Sequence, residues 1–207
     1  MGVFIFFMLP FSPSTESENK KKKPKVSGHQ QMLKKLEAIA TGSQNPYFGD
    51  AFINRIRAHL LGARPGSPQE LLLRFDLGSE ELRRGGTESA VEQLKRCYDL
   101  IPQVSDSIEP DKIVEVRKTT TFLLAVAYLR LGENENCINC HTSESCIFPL
   151  AGEGIHEKRE GSEKAIPYLE EVLALAPDDA AARWLLNLAH MTLGSYPKAV
   201  PEKFLIK

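Results

Sequence analysis

The most reactive side chains of this sequence are concentrated in one segment, residues 133–162. Three of the four cysteines lie there within ten positions, together with two of the five histidines. Cys137-Ile-Asn-Cys140-His141 has the spacing of a c-type haem attachment site, in which two thioethers hold the porphyrin and the histidine is the proximal iron ligand. Because a haem also needs an apolar pocket and often a second axial ligand, the motif gives one hypothesis and no more.

Two other chemistries would use the same side chains. A disulfide between the outer thiols, Cys137 and Cys146, would stabilise the segment by about 2–3 kcal/mol and would need an oxidising compartment. Alternatively, two or three thiolates of Cys137, Cys140 and Cys146 could bind zinc tetrahedrally with His141 or His156. The spacing matches no common zinc finger. The residues themselves leave disulfide, haem and zinc open.

No catalytic constellation accompanies these side chains. The sequence has no Ser-His-Asp order, no nucleotide-binding glycine loop and no paired-histidine metalloprotease motif. For His156, a surface or hydrogen-bonded role is favoured over a ligand role. The formal net charge of -1 gives no general attraction to nucleic acid. We therefore predict a protein that is not an enzyme and has no nucleic-acid partner.

Residues 1–29 read as a leader that precedes the folded chain. Residues 1–11 are apolar and long enough for the hydrophobic region of a signal peptide, but too short to span a bilayer as a helix. The lysine-rich stretch that follows has the polar composition of a disordered linker. This leader predicts an extracytoplasmic protein, either periplasmic, secreted or membrane-associated, without an integral membrane span.

The elements that must position the reactive segment read as helices. Apolar residues at three- and four-residue steps predict two helices within residues 30–66, at 30–39 and 48–61. Ser67 and Pro68 are typical of a helix N-cap and first turn, and start a third helix that should run to Gly85. Gly78 suggests an interruption of that helix. A fourth helix should start at Thr87 and end at Pro102.

A repeat appears when residues 124–132 are laid over residues 186–194. Leu124, Tyr128 and Gly132 fall on Leu186, His190 and Gly194, and both sets have the spacing of a tetratricopeptide first helix. Such repeats run about 34 residues, so the longer offset requires an inserted loop, residues 133–162, before a second helix at 165–176. The residues assigned to the repeat core are Leu124, Tyr128, Gly132, Ala165, Trp184, Leu186, Gly194, Tyr196 and Ala199, the last of which should open a third copy.

The predicted fold is therefore all-α. It consists of tetratricopeptide-like helical hairpin repeats, a short α-solenoid, with one inserted cysteine-bearing loop. The repeat domain should occupy residues 67–207. Stacked hairpins present a concave face that suits a protein or peptide partner.

Three strings in the second half of the chain resemble a known family. They are Ser145-Cys-Ile-Phe-Pro-Leu150, Gly152-Glu-Gly-Ile-His156 and Arg183-Trp-Leu-Leu-Asn187. They are similar to the tetratricopeptide-type N-terminal region of bacterial and marine proteins that continue into FG-GAP repeats and an ASPIC/UnbV domain. The similarity covers roughly residues 71–206. It implies export and a recognition or assembly role, with an FG-GAP/ASPIC-type domain as a candidate partner.

The resemblance also bears on the cysteines. The family is similar in having an Asn-Cys pair, a histidine and a second cysteine, which fall here on Cys137, His141 and Cys146. Cys140 departs from this pattern, where a polar residue such as asparagine is expected. The resemblance thus implies pairing of Cys137 with Cys146 and no cofactor, and covalent haem c at Cys137, Cys140 and His141 is the alternative.

Overall fold

The computed structural model describes residues 26–42, 49–138, 142–145 and 147–206. Within these ranges the chain forms seven α-helices and no β-strand. They are α1 (Gly28–Gly42), α2 (Ala51–Gly62), α3 (Pro68–Arg84), α4 (Thr87–Val104), α5 (Pro110–Glu133), α6 (Glu160–Leu175) and α7 (Ala180–Thr192). None of these helices is long and apolar enough to cross a membrane. The predicted all-α, tetratricopeptide-like class is confirmed.

Helix α3 begins as the sequence predicts and continues where an interruption was expected. The Ser67 side chain accepts a hydrogen bond from the Glu70 amide, and Pro68 occupies the first turn. Gly78 does not break the helix. A methyl group at Gly78 would lie 2.7 Å from Leu94 Cγ, so the glycine permits α3 and α4 to approach closely. Gly85, at a φ of 84°, ends the helix in the left-handed conformation.

Helix α4 does not end at Pro102, which corrects the expected boundary. The helix continues to Val104 and is followed by a 3-10 turn at Ser105–Ser107. The proline lies in the last turn, where its missing N–H costs the helix one hydrogen bond and leaves the remaining turns intact. Ile101 and Val104 are both buried, and their packing accounts for the extra turn.

The helices form successive antiparallel hairpins around one main core. Helix α4 packs on α3 and α5, and α6 packs on α5 and α7, while the first helices α3, α5 and α7 are neighbours. The main core lies between α4, α5, α6 and α7. Its fully buried positions repeat along the array, because Leu124 matches Leu186 and Ala90 matches Ala165. These equivalences produce the short solenoid.

Two positions assigned to the repeat core lie elsewhere. Trp184 is 42% exposed, and its ring contacts Phe148 of the inserted loop. Ala199 is exposed and lies in a turn, and the only helical element after it in the described chain is a 3-10 turn at Glu202–Phe204. Ala199 therefore does not open a helix of a third hairpin within the described residues.

Candidate functional site

The inserted loop leaves and rejoins the helices at one point. The end of α5 passes into a π-helical turn, Asn134–Ile138, and the chain returns at α6. The buried Asn136 amide donates to the carbonyls of Gly132 (2.8 Å) and Lys158 (2.9 Å) and accepts from the Lys158 amide (2.9 Å). At the same crossing a methyl group on Gly161 would lie 2.7 Å from the Gly132 nitrogen. One carboxamide and one close helix approach thus fix both ends of the loop.

The described part of the loop is folded on itself. The Ser145 hydroxyl accepts from the Thr142 amide at 3.1 Å, and the Glu144 carboxylate accepts from the Glu153 amide at 2.8 Å. Gly154 is required here because a methyl group would lie 2.7 Å from the Glu144 carbonyl oxygen. The contacts of Glu144 with Glu153 and Gly154 join the two halves of the loop, and the second half contains a 3-10 turn at Gly152–Gly154.

The loop brings Cys137 and His156 together. Sγ of Cys137 lies 3.5 Å from Nε2 of His156. The His156 amide donates to the Thr192 carbonyl at 2.8 Å, which ties this part of the loop to the end of α7. His156 is 7% exposed. Its burial lowers the pKa of the imidazole below its ordinary value of 6.5, partly opposed by the Glu133 carboxylate, so the ring is neutral at pH 7.

Two cavities meet at this pair. The first, about 650 Å³, has a mixed lining, and its polar groups include Thr142, Ser145 and Glu153. The second, about 370 Å³, is lined mainly by apolar side chains of α5, α7 and the loop. Cys137 and His156 line both. The thiol and the imidazole therefore lie where a cavity of mixed lining and a mainly apolar cavity meet.

Aromatic side chains mark the outer edge of the apolar cavity. Phe148 of the loop contacts Trp184 of α7, with 5.7 Å between ring centroids. Phe148 is 53% exposed and the adjacent Ile147 is 63% exposed. Leu150, two residues further on, is buried. In this segment Leu150 is therefore buried, whereas Ile147 and Phe148 form an apolar patch that is exposed to solvent.

Only part of the predicted site falls within the described residues. Cys137 is described, whereas Cys140, His141 and Cys146 lie outside the described ranges. The disulfide, haem and zinc hypotheses accordingly stay predictions. The expectation that His156 is hydrogen-bonded agrees with its contacts, but its partner, Cys137, was not foreseen. Asn136 was also missed as a structural residue, although it is the asparagine of the Asn-Cys pair in the family resemblance.

The thiol and imidazole form half of a nucleophile–base arrangement. A catalytic pair of this kind normally has a third group that orients the base. Nδ1 of His156 is buried and has no hydrogen-bond partner among the described residues. The other described thiol, Cys97, is fully buried, and burial raises its pKa to about 11, which makes it unreactive at neutral pH.

Comparison with known families identifies one part of this array. Residues 156–206 match the tetratricopeptide repeat family. The match begins at His156 and includes α6, α7 and the segment after them. No match was found among curated proteins or among solved structures. Tetratricopeptide repeats serve generally as modules that bind proteins or peptides, and the chain contains a region of this type.

Proposed function

We propose that this protein is a non-catalytic, extracytoplasmic binding module that holds an apolar segment of a partner protein between α5, α7 and the inserted loop. The observation that carries the proposal is the apolar cavity of about 370 Å³ at this place. It lies on the first helices of successive hairpins, the helices that line the concave face of such arrays. The loop adds a third wall.

Apolar side chains from three elements make up most of the surface of this cavity, with Arg130, Glu133 and Thr192 among its polar lining residues. Val126 and Leu129 come from α5, and Leu185 and Leu188 come from α7. Phe148 closes the side formed by the loop. A groove with these walls favours an apolar anchor side chain, since burial of such a side chain contributes about 1.5–3 kcal/mol. We therefore expect the partner to insert one small hydrophobic side chain into the cavity, while its backbone on either side contacts the rim.

The exposed aromatic edge supports the same conclusion. Trp184, Phe148 and Ile147 form a solvent-exposed apolar patch beside the cavity. Soluble proteins rarely expose such patches without a use, and tryptophan is among the residues enriched at interface hot spots. A partner seated in the cavity would cover this patch as well.

The test uses the single tryptophan of the chain as a reporter. Peptides selected from a random-sequence library on the full chain would be synthesised and titrated while the fluorescence of Trp184 is followed. We expect aromatic or leucine anchors among them. Replacement of Phe148→Ala should weaken their binding about 5- to 30-fold, as expected for a hot-spot residue.

The matched control is Leu175→Ala, at an apolar residue of α6 that is 42% exposed and does not line the cavity. It should leave the affinity unchanged. Selected peptides that bind both variants equally, or a selection that yields no peptide able to change the Trp184 signal, would overturn the proposed groove.

The proposed extracytoplasmic location and the FG-GAP/ASPIC-type partner rest on the apolar residues 1–11 and on the family resemblance of residues 71–206. Production of the chain with its own N-terminus in an export-competent bacterium tests the first. Recovery of the protein outside the cytoplasm, with an intact mass reduced by the leader, is expected. Recovery of the full-length mass from the cytoplasm would contradict it.

Covalent haem is the alternative for the same loop. The larger cavity beside Cys137 has polar and carboxylate groups in its lining, including Thr142, Glu153 and Glu157, whereas a porphyrin needs apolar contacts on its faces. We therefore do not propose haem. A strong visible absorption band in protein made with haem-maturation machinery would reverse this choice.

A further inference from the structure

We infer that a groove between α4 and α6 binds a proline-rich segment of a partner protein, with an acidic residue of that partner beside the prolines. The groove encloses about 510 Å³, and α5 contributes Tyr128 to its lining. Tyr128 lies two residues after Val126, which lines the cavity between α5 and α7. Two residues correspond to about 200° around a helix, so the groove and that cavity lie on opposite sides of α5. The inference therefore goes beyond the proposed function and does not rest on it.

Three tyrosine rings form one continuous cluster in this groove. Tyr128 and Tyr168 are stacked, with 5.9 Å between their centroids and 5° between their planes. Tyr98 meets Tyr168 edge-on, with 5.4 Å between centroids. Tyr98 and Tyr168 are partly exposed, so both rings can contact a ligand. Aromatic-lined grooves of this kind bind proline-rich segments, because a polyproline II helix is already formed before binding and loses little entropy.

Two of these tyrosines have hydroxyl groups that can bond to a ligand. The Tyr98 hydroxyl donates to the Glu171 carboxylate at 2.7 Å. The hydroxyls of Tyr128 and Tyr168 make no hydrogen bond within the described part of the chain, although Tyr128 is only 7% exposed. Polar groups at such buried positions normally have a partner. A polyproline II segment supplies acceptors, since its backbone carbonyls make no internal hydrogen bonds.

Two lysines indicate the charge of the ligand. Lys95 Nζ lies 5.9 Å from the ring centroid of Tyr98, and Lys164 Nζ lies 5.7 Å from that of Tyr128. Because the chain's own ammonium groups already lie over these rings, the groove does not suit a cationic ligand. Each lysine is paired with a carboxylate four positions away on its own helix. Such exposed pairs contribute little to stability, so either lysine can turn to a carboxylate of the partner.

The two carboxylates that line the groove are themselves paired with arginines. Glu171 lies 2.7 Å from Arg117, and Glu163 lies 3.1 Å from Arg159. These pairs reduce the repulsion that an acidic ligand would meet. The charge and the aromatic surface together favour a segment in which prolines follow or precede an aspartate or glutamate.

The experiment uses a fluorophore-labelled peptide of about ten prolines preceded by two aspartates. Its fluorescence anisotropy is followed as the full chain is added, and we expect saturable binding. Tyr128→Phe keeps the ring and removes the hydroxyl, so it should weaken binding about 2- to 10-fold, as expected for the loss of one hydrogen bond. Tyr168→Phe should have an effect of the same size. Lys164→Gln should weaken binding and reduce its dependence on salt.

Two substitutions of the same types provide matched controls outside the groove. Tyr196→Phe removes a hydroxyl that donates to the Ile206 carbonyl at 2.7 Å. Lys112→Gln removes an exposed lysine that is paired with Glu109. Neither residue lines the groove, so both variants should bind the peptide like the wild type. Circular dichroism would show that each variant retains its helices.

Failure of the chain to bind the proline peptide would overturn the inference. Wild-type affinity in both Tyr128→Phe and Tyr168→Phe would also overturn it, as would equal binding of a peptide with leucines in place of the prolines. Phe148→Ala changes the cavity between α5 and α7, and should not change binding of the proline peptide. Loss of binding in Phe148→Ala would place the peptide in that cavity and overturn the inference, whereas the peptides selected for the proposed function should be insensitive to Tyr128→Phe. The two surfaces can therefore fail independently.

Discussion

The Asn136 side chain joins the two ends of the inserted loop. Its carboxamide uses both donor and acceptor groups, and it pairs with the backbone on the two sides of the loop mouth. A side chain with only one kind of hydrogen-bonding group could not make this set. The placement of Cys137 directly after Asn136 means that the position of the thiol depends on the same amide.

Replacement of Asn136→Ala should therefore loosen the loop at both ends. It removes three hydrogen bonds and leaves buried backbone groups unpaired, so we expect the free energy of unfolding to fall by about 2–3 kcal/mol. Urea unfolding measures this change, and hydrogen exchange at the Lys158 amide should accelerate. Asn54→Ala is the control, because Asn54 is exposed and makes only a 3.4 Å contact with Arg57. Equal stability of the two variants would refute this role.

The close contact between α3 and α4 depends on Gly78. Gly78→Ala would gain helix propensity of up to about 1 kcal/mol, but its new methyl group would lie 2.7 Å from Leu94 Cγ and 3.2 Å from the Leu94 backbone nitrogen. Leu94 is fully buried and cannot move into free space. Because overpacking costs about 1–3 kcal/mol, we expect a net loss of stability in urea unfolding.

Gly62→Ala is the matched control for Gly78→Ala. It also lies in a helix, the last residue of α2, and a methyl group there would have no neighbour within 4 Å. This variant should be neutral or slightly stabilised. A stabilised Gly78→Ala variant would show that α3 and α4 can separate at no cost.

The same elements show how far the sequence predicts the structure. Helix α3 and the second half of α5 were predicted because their caps, turns and one-sided apolar stripes are local signals. The first half of α5 was missed because Thr120 and Thr121 are fully buried there. Buried polar residues interrupt the apolar stripe from which a helix is predicted. Helix α4 extends past Pro102 because tertiary packing outweighs the signal of the proline.

The candidate site was less predictable than the fold. The sequence located the loop and its cysteines, but an irregular loop has no period from which the neighbours of a side chain can be read. The contact between Cys137 and His156 arises from two backbone attachments, at Asn136 and at the Thr192 carbonyl, that only the folded chain brings together. Trp184 was assigned to the core from the repeat pattern, yet its neighbour is the exposed Phe148.

At the scale of the molecule, α7 is covered on one side by the segment that follows it. The Phe204 side chain is buried in the main core, and its carbonyl accepts from Arg183 (3.1 Å) and Asn187 (2.9 Å). The Ile206 amide donates to the Asn187 side chain at 3.1 Å. This segment therefore packs on α7 and forms hydrogen bonds with two of its side chains.

Phe204→Ala should therefore destabilise the array from this end. Replacing a buried phenylalanine with alanine costs about 3–5 kcal/mol, and we expect the loss to fall mainly on α7. Hydrogen exchange measured along the chain should show faster exchange in α7 and nearly unchanged exchange in α4. Leu205→Ala, at a partly exposed neighbour, should change the exchange rates of neither α7 nor α4. Equal acceleration in α4 and α7 would instead show that the array unfolds as one unit, and that the binding groove on α5 and α7 cannot open without loss of the whole fold.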